Sequence, residues 1–180
     1  DIEDNPKIGM NTPSGWTFEK CTNLTDIIVS EENKIFSSLN GVLYNKEQTQ
    51  LIRFPQGKKG SFIIPQCVTS ISYRAFYGCA FITSITIPAG VTEIDFNFNG
   101  CNLLAEINVD KENTAYSSID GVLYSKDQST LILCPIAKKG NYIIPNNVVN
   151  IENYAFKNCL NLSNIDIPNS VVSIGREAFC

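Results

Sequence analysis

The chain contains the same sentence twice. FSSLNGVLYNKEQ at 36–48 returns as YSSIDGVLYSKDQ at 116–128. Lys58-Lys59-Gly60 returns as Lys138-Lys139-Gly140, and Ile63-Ile64-Pro65 as Ile143-Ile144-Pro145. The offset is 80 in each case, and 33 of the 80 positions are identical when 21–100 is laid on 101–180. That is a duplication, and a duplicated chain is restricted to folds made by stacking similar units.

A shorter period runs inside each unit. IPQCVTSISYRAFYGCAFITSITIP spans 64–88, IPAGVTEIDFNFNGCNLLAEINV spans 87–109, and IPNNVVNIENYAFKNCLNLSNIDIP spans 144–168. IPNSVVSIGREAFC begins again at 167, and Trp16 to Leu24 carries the second half of the same motif. Five rungs result, at 16–29, 64–87, 88–109, 144–167 and 168–180, the first and last incomplete. They form one domain over 1–180, with insertions at 30–62 and 110–142. Both ends read as cut: Asp1 follows no initiator Met or secretory leader, and Phe179-Cys180 falls in mid-motif.

A motif of 22 or 23 residues cannot bury its own apolar face, so the copies must cover one another along an axis. Its Leu-x-x-Ile-x-Ile end alternates with period two, the pattern of a half-buried strand. Strands are expected at 24–29, 82–87, 104–109 and 162–167, paired in parallel, with Pro88 and Pro168 closing two of them. Val-x-x-Ile at 68–71, 91–94, 148–151 and 171–174 predicts a second extended wall. Ala75-Phe76 and Ala155-Phe156 have the spacing of a short helical turn, with Phe inward. Each insertion reads as a β-hairpin, Gly41–Tyr44 against Leu51–Phe54 and Val122–Tyr124 against Leu131–Cys134, both projecting on one side. The fold class is thus a mainly β solenoid. The 23 Ile and 20 Asn suit strands and turns better than helices.

The motif resembles the leucine-rich repeat of the BspA type, over about 16–180. That resemblance implies a right-handed superhelix, in a large surface or secreted protein that adheres to host matrix proteins, host cells or other microbes. It implies no catalytic residues. One rung departs from the pattern: 91–101 is a residue short, with Asn97-Phe98 where Ala-Phe is expected, and predicts a local kink.

Chemistry is mostly excluded. There is no histidine, the commonest general base and metal ligand, so cysteine-protease and Ser–His–Asp arrangements lack a partner. Of the seven cysteines, Cys21, Cys79, Cys101 and Cys159 share one motif position and predict a ladder of buried, reduced thiols. Rung spacing would allow a disulfide between neighbours, but the side chains run parallel. Zinc lacks both Cys-x-x-Cys and His. Cys67 and Cys134 match Asn147 and Phe54 of the other unit, and Cys180 is out of register, so none belongs to the ladder. Lys58-Lys59-Gly60 lacks the Walker spacing and reads as a turn, as does Asp110-x-Glu112-x-Thr114. Asn23-Leu24-Thr25 and Asn161-Leu162-Ser163 are glycosylation acceptor patterns in a eukaryotic host only. No cofactor is expected.

Net charge is −4, giving no electrostatic reason to bind nucleic acid, and no apolar run approaches a membrane span. Hydrophobic residues at 43% against 18% charged also exclude a disordered chain. What remains is surface shape. Side chains facing out from the Leu-x-x-Ile-x-Ile strands form a mildly acidic stripe: Asp26, Ile28, Ser84, Thr86, Glu106, Asn108, Asn164 and Asp166. The expected function is a monomeric, non-enzymatic adhesion module at the cell surface or outside the cell, binding a protein ligand there. The alternatives are a structural spacer in a larger surface protein and, against the missing histidines, a glycan-active or proteolytic enzyme.

Overall fold

The structure, a computed structural model, describes residue 18, residues 20–94 and residues 97–180. Most of the Trp16–Lys20 start of the first rung lies outside these residues, and so do Asp95 and Phe96, the centre of the expected kink. The first unit carries β1 (Phe36–Leu39), β2 (Val42–Asn45), β3 (Gln50–Arg53), β4 (Gly60–Ile63), β5 (Ser70–Ile71), β6 (Ile82–Ile87) and β7 (Glu93–Ile94), and the second unit opens with β8 (Glu106–Val109). The second unit supplies β9 (Tyr116–Ile119), β10 (Val122–Ser125), β11 (Thr130–Leu133), β12 (Gly140–Ile143), β13 (Asn150–Ile151), β14 (Leu162–Asp166) and β15 (Ser173–Ile174).

These strands build a solenoid with two walls. One wall carries the parallel ladders β4-β6-β8 and β12-β14. The other carries β1-β2-β3-β5-β7 and its duplicate β9-β10-β11-β13-β15. In both, the first three strands pair antiparallel and the Val-x-x-Ile strands then add in parallel. The insertions are therefore three-stranded meanders rather than simple hairpins, and their last strand joins the second wall. The extra strand turns at Asn40-Gly41 and Asp120-Gly121, where both residues take positive φ (50° and 76°, 49° and 72°). That is the two-residue turn whose twist matches a hairpin, and it selects Asn-Gly and Asp-Gly.

Three expectations about the first wall change. No strand forms at 24–29. The segment makes the same bonds toward its meander as 104–109 does: Ile27 N–H to Gly41 O and Ile107 N–H to Gly121 O, each 2.8 Å. Strand β8 is a strand because β6 pairs its other edge; among the described residues nothing pairs that edge of 24–29. The third strand shortens to Glu106–Val109. The fourth ends at Asp166 and pairs with β12, three of whose four residues fall in the expected 110–142 insertion.

The helical turns are also corrected: no helix forms among the described residues. Arg74 and Gly78 have φ of 56° and 73°, and Tyr154 and Asn158 have 62° and 58°, values no α-helix accommodates. The segment instead makes tandem β-turns, Ala75 N–H to Ser72 O and Cys79 N–H to Phe76 O. Other N–H groups of the segment reach the next rung, as in Gly78 N–H to Asn99 O at 2.8 Å and Phe156 N–H to Ala178 O at 2.7 Å. A helix would spend those donors internally and leave the rungs unjoined.

Phenylalanines stack along the axis beneath these turns. Phe54, Phe76 and Phe98 lie 5.4 and 5.5 Å apart by ring centre. Phe156 and Phe179 lie 5.1 Å apart, their planes within 11°. Cys134 stands where the duplication would place a ring between Phe98 and Phe156, and the buried core divides into two clusters. Asn113 is fully buried and satisfied: its amide donates to the Pro88 and Val91 carbonyls, and its oxygen accepts from Ala115 and Tyr116 N–H. It ties the second meander to the preceding rung.

Candidate functional site

On the first wall the buried residues Ile85 and Ile107 alternate with Ser84, Thr86, Glu106 and Asn108, which face out. Ser84 pairs in register with Glu106 and Thr86 with Asn108, so the stripe is continuous between these rungs. Asn164 and Asp166 are exposed on β14, beside Asn141 and Ile143 of β12. The Asn164 amide donates to Asp166 Oδ1 at 2.7 Å. Asp26 and Ile28 are exposed on the extended 24–29 segment. A hydrogen bond from Thr25, and then Lys58 at 3.2 Å, hold the Asp26 carboxyl below its usual value. The equivalent Lys138 turns instead to Asp120, at 2.7 Å.

Two members of this face were missed from sequence because their strands were assigned to insertions. Ile63 lies in register with Thr86, and Ile143 with Asp166; each is 70% exposed. The signal was present in the duplicated Ile-Ile-Pro, where one Ile must face in (Ile64, Ile144, both buried) and its neighbour out.

A second feature is a cleft of about 730 Å³ where the two units meet. Phe98, Cys101, Leu104 and Cys134 line its floor, with Arg74, Glu152 and Lys157 among the residues at its rim. Its origin is visible in what the duplication changed. In the first unit Arg53 donates to the Arg74 and Tyr77 carbonyls, Gln56 donates to Tyr77, and Phe54 fills the space below. The second unit has Leu133, Cys134 and Ile136 at those places. Their side chains are apolar or smaller, and none carries the amide or guanidinium that bridges the first unit. Glu152 is the lone carboxylate among the described lining residues, so these supply no acid pair for glycoside hydrolysis.

The cysteine ladder is partly corrected. Cys79 and Cys101 are fully buried and burial pushes both thiols up, Cys79 to about 12. Each donates to a carbonyl of the preceding rung, Cys79 to Phe54 O at 3.5 Å and Cys101 to Phe76 O at 3.1 Å. Cys159 makes the same contact with Cys134 O but is only half-buried, and Cys21 is exposed. Both lie toward ends of the described array, with fewer rungs to cover them. All seven are free thiols. No cluster of metal-ligating side chains occurs among the described residues.

Residues 53–129 and 137–180 match the BspA-type leucine-rich repeat region, in six copies. The chain belongs to the BspA-type leucine-rich repeat family. It is similar to a leucine-rich repeat protein from Eubacterium ventriosum, with 33% identity and a TM-score of 0.61 over 67% of this chain and 32% of that one. It is similar to a leucine-rich cell surface protein from Faecalibacterium prausnitzii, with 36% identity and a TM-score of 0.55 over 71% and 38%. The pneumococcal vaccine antigen PcpA shares the fold at 21% identity and a TM-score of 0.54, over 86% and 37%. The chain thus spans about a third of the length of these solved relatives. No curated protein matches it. No helix among the described residues is long and apolar enough to cross a membrane.

Proposed function

We propose that this chain is a non-catalytic, monomeric protein-interaction module of a cell-surface or secreted protein, engaging a host or matrix protein through the outward face of its first wall. What supports the reading most is the recurrence of exposed isoleucine on that face. Ile28, Ile63 and Ile143 are 89%, 70% and 70% exposed. Single exposed apolar residues are ordinary, but the repeat of one at the same place in both units, beside polar Thr86, Asn108 and Asp166, has the composition of a contact surface. The ligand-facing set is Asp26, Ile28, Ser84, Thr86, Glu106, Asn108, Asn164 and Asp166, with Ile63 and Ile143 added. The description of one relative as a cell surface protein agrees with the proposed location.

The test is binding to immobilised fibronectin, laminin and collagen, comparing the native chain with Ile63→Asp/Ile143→Asp. Both substituted side chains already face solvent, so folding should survive. Loss of at least tenfold in affinity is expected. A native chain that binds none of them would favour the spacer, and undiminished binding by the double variant would move the contact to another surface.

A further inference from the structure

We propose that Cys134 and Cys159 are a closable thiol pair, which a small disulfide such as oxidised glutathione converts to an intramolecular disulfide joining two neighbouring rungs. The geometry follows from the broken phenylalanine stack. Where the first unit sets Phe54 against Cys79, the second sets a thiol against a thiol. Cys159 Sγ lies 3.6 Å from the Cys134 carbonyl oxygen and 3.7 Å from that of Pro135. Cys134 Sγ lies 3.8 Å from the same Pro135 oxygen. The two sulfurs thus flank one carbonyl oxygen, that of Pro135.

Access is asymmetric. Cys134 is 2% exposed and cannot meet a reagent first. Cys159 is half-buried and lines an open cavity of about 480 Å³ with Phe179 and Cys180. Cys159 is therefore the thiol that reacts first, after giving its proton to solvent. The Cys159 thiolate attacks one sulfur of oxidised glutathione; that disulfide breaks, and one glutathione thiolate leaves and takes up a proton. Cys134 then gives its proton to solvent, attacks the Cys159 sulfur, and expels the second glutathione. Two protein thiols lose two electrons and two protons, and one glutathione disulfide becomes two thiols. Cys79 and Cys101, both fully buried, stay out of the exchange.

The experiment treats the native chain with oxidised glutathione at pH 8, quenches with acid and maps the peptides. The expected result is a loss of two hydrogens, a 134–159 link, and a denaturant midpoint that rises on oxidation and returns with reductant. Cys134→Ser should stop at a glutathione adduct on Cys159, and Cys159→Ser should leave Cys134 unmodified. The proposal fails if the folded chain gives no 134–159 link, if Cys159 couples to Cys180 instead, or if the link forms only in denaturant. It also fails if oxidation lowers the midpoint, since the rungs would then have to shift to make the bond.

Discussion

The duplication contains its own control for one buried hydroxyl. Tyr44 is 1% exposed, and its hydroxyl has no hydrogen-bond partner among the described residues. The equivalent Tyr124 hydroxyl bonds to the Tyr142 hydroxyl. The difference is one atom, because the first unit has Phe62 where the second has Tyr142. An orphaned buried polar group costs about 1–3 kcal/mol, and a satisfied bond contributes about 0.5–1.5 kcal/mol net. Phe62→Tyr is therefore expected to stabilise the chain by about 1 kcal/mol, or roughly 2–4 °C in Tm for a chain of this size. Tyr142→Phe should cost about 1–3 kcal/mol by orphaning Tyr124. The two sites lie in different core clusters, so their effects should add in the double variant. Urea unfolding at pH 7 reads this out as opposite shifts in midpoint with unchanged slope. If Phe62→Tyr is neutral or destabilising while Tyr142→Phe is harmless, the hydroxyl pair contributes nothing and the equivalence of the two pockets is wrong.

Two further outcomes concern stability. Phe156 is 3% exposed with ring-bearing neighbours on both sides, whereas Phe179 is 45% exposed and stacks on one side only. Phe156→Ala should cost about 3–5 kcal/mol and Phe179→Ala clearly less; equal losses of denaturant midpoint would refute stacking as the source of the difference. Alkali should destabilise the protein. Burial raises Cys79 and Tyr124 to about 12, and raises Cys101 and Tyr44 as well, from ordinary values of 9.0 for Cys and 10.0 for Tyr. For a group whose folded value is raised, the stabilisation is complete below the unfolded value and is lost as pH climbs toward the folded one. With no histidine, midpoints should be flat from about pH 6 to 8 and fall steeply between about pH 9 and 11; a flat profile through that upper window would contradict the burial of these groups.

The motif made the solenoid legible because its periods are physical. Period two in Ile82–Ile87 is a pleat with one wet face, and Pro88 stops it where the structure stops it. The Val-x-x-Ile pieces became β5, β7, β13 and β15, each strand holding the Ile end of its motif. What misled was spacing without dihedrals. Ala75-Phe76 and Cys79 are three or four apart, as on a helix, yet the chain reaches that spacing through left-handed residues that sequence patterning does not announce, such as Arg74 and Tyr154. The meander's extra strand was legible in Asn40-Gly41 and Asp120-Gly121 and went unread. The cleft was not legible from the motif, because it arises from non-identity: Arg53, Phe54 and Gln56 against Leu133, Cys134 and Ile136. Matching the units hides such sites; subtracting one from the other reveals them. The outward stripe followed from alternation alone, while Ile63 and Ile143 fall between the insertions ending at 62 and 142 and the rungs beginning at 64 and 144, and so belong to no strand in that reading.

The break in the phenylalanine stack also has a mechanical meaning. A stacked array under tension passes its load from rung to rung. On either side of Cys134 that load runs through stacked rings at about 5 Å spacing, which resist parting. At the seam it passes instead through backbone bonds such as Ala137 N–H to Leu104 O and through the buried Asn113 amide, beside an open cleft. Pulled from its ends, the chain is expected to yield first at the seam and to part into two lumps of intact rungs. The seam is then a fuse, and a disulfide from Cys134 to Cys159 would strengthen the lump beside it while leaving the fuse itself in place.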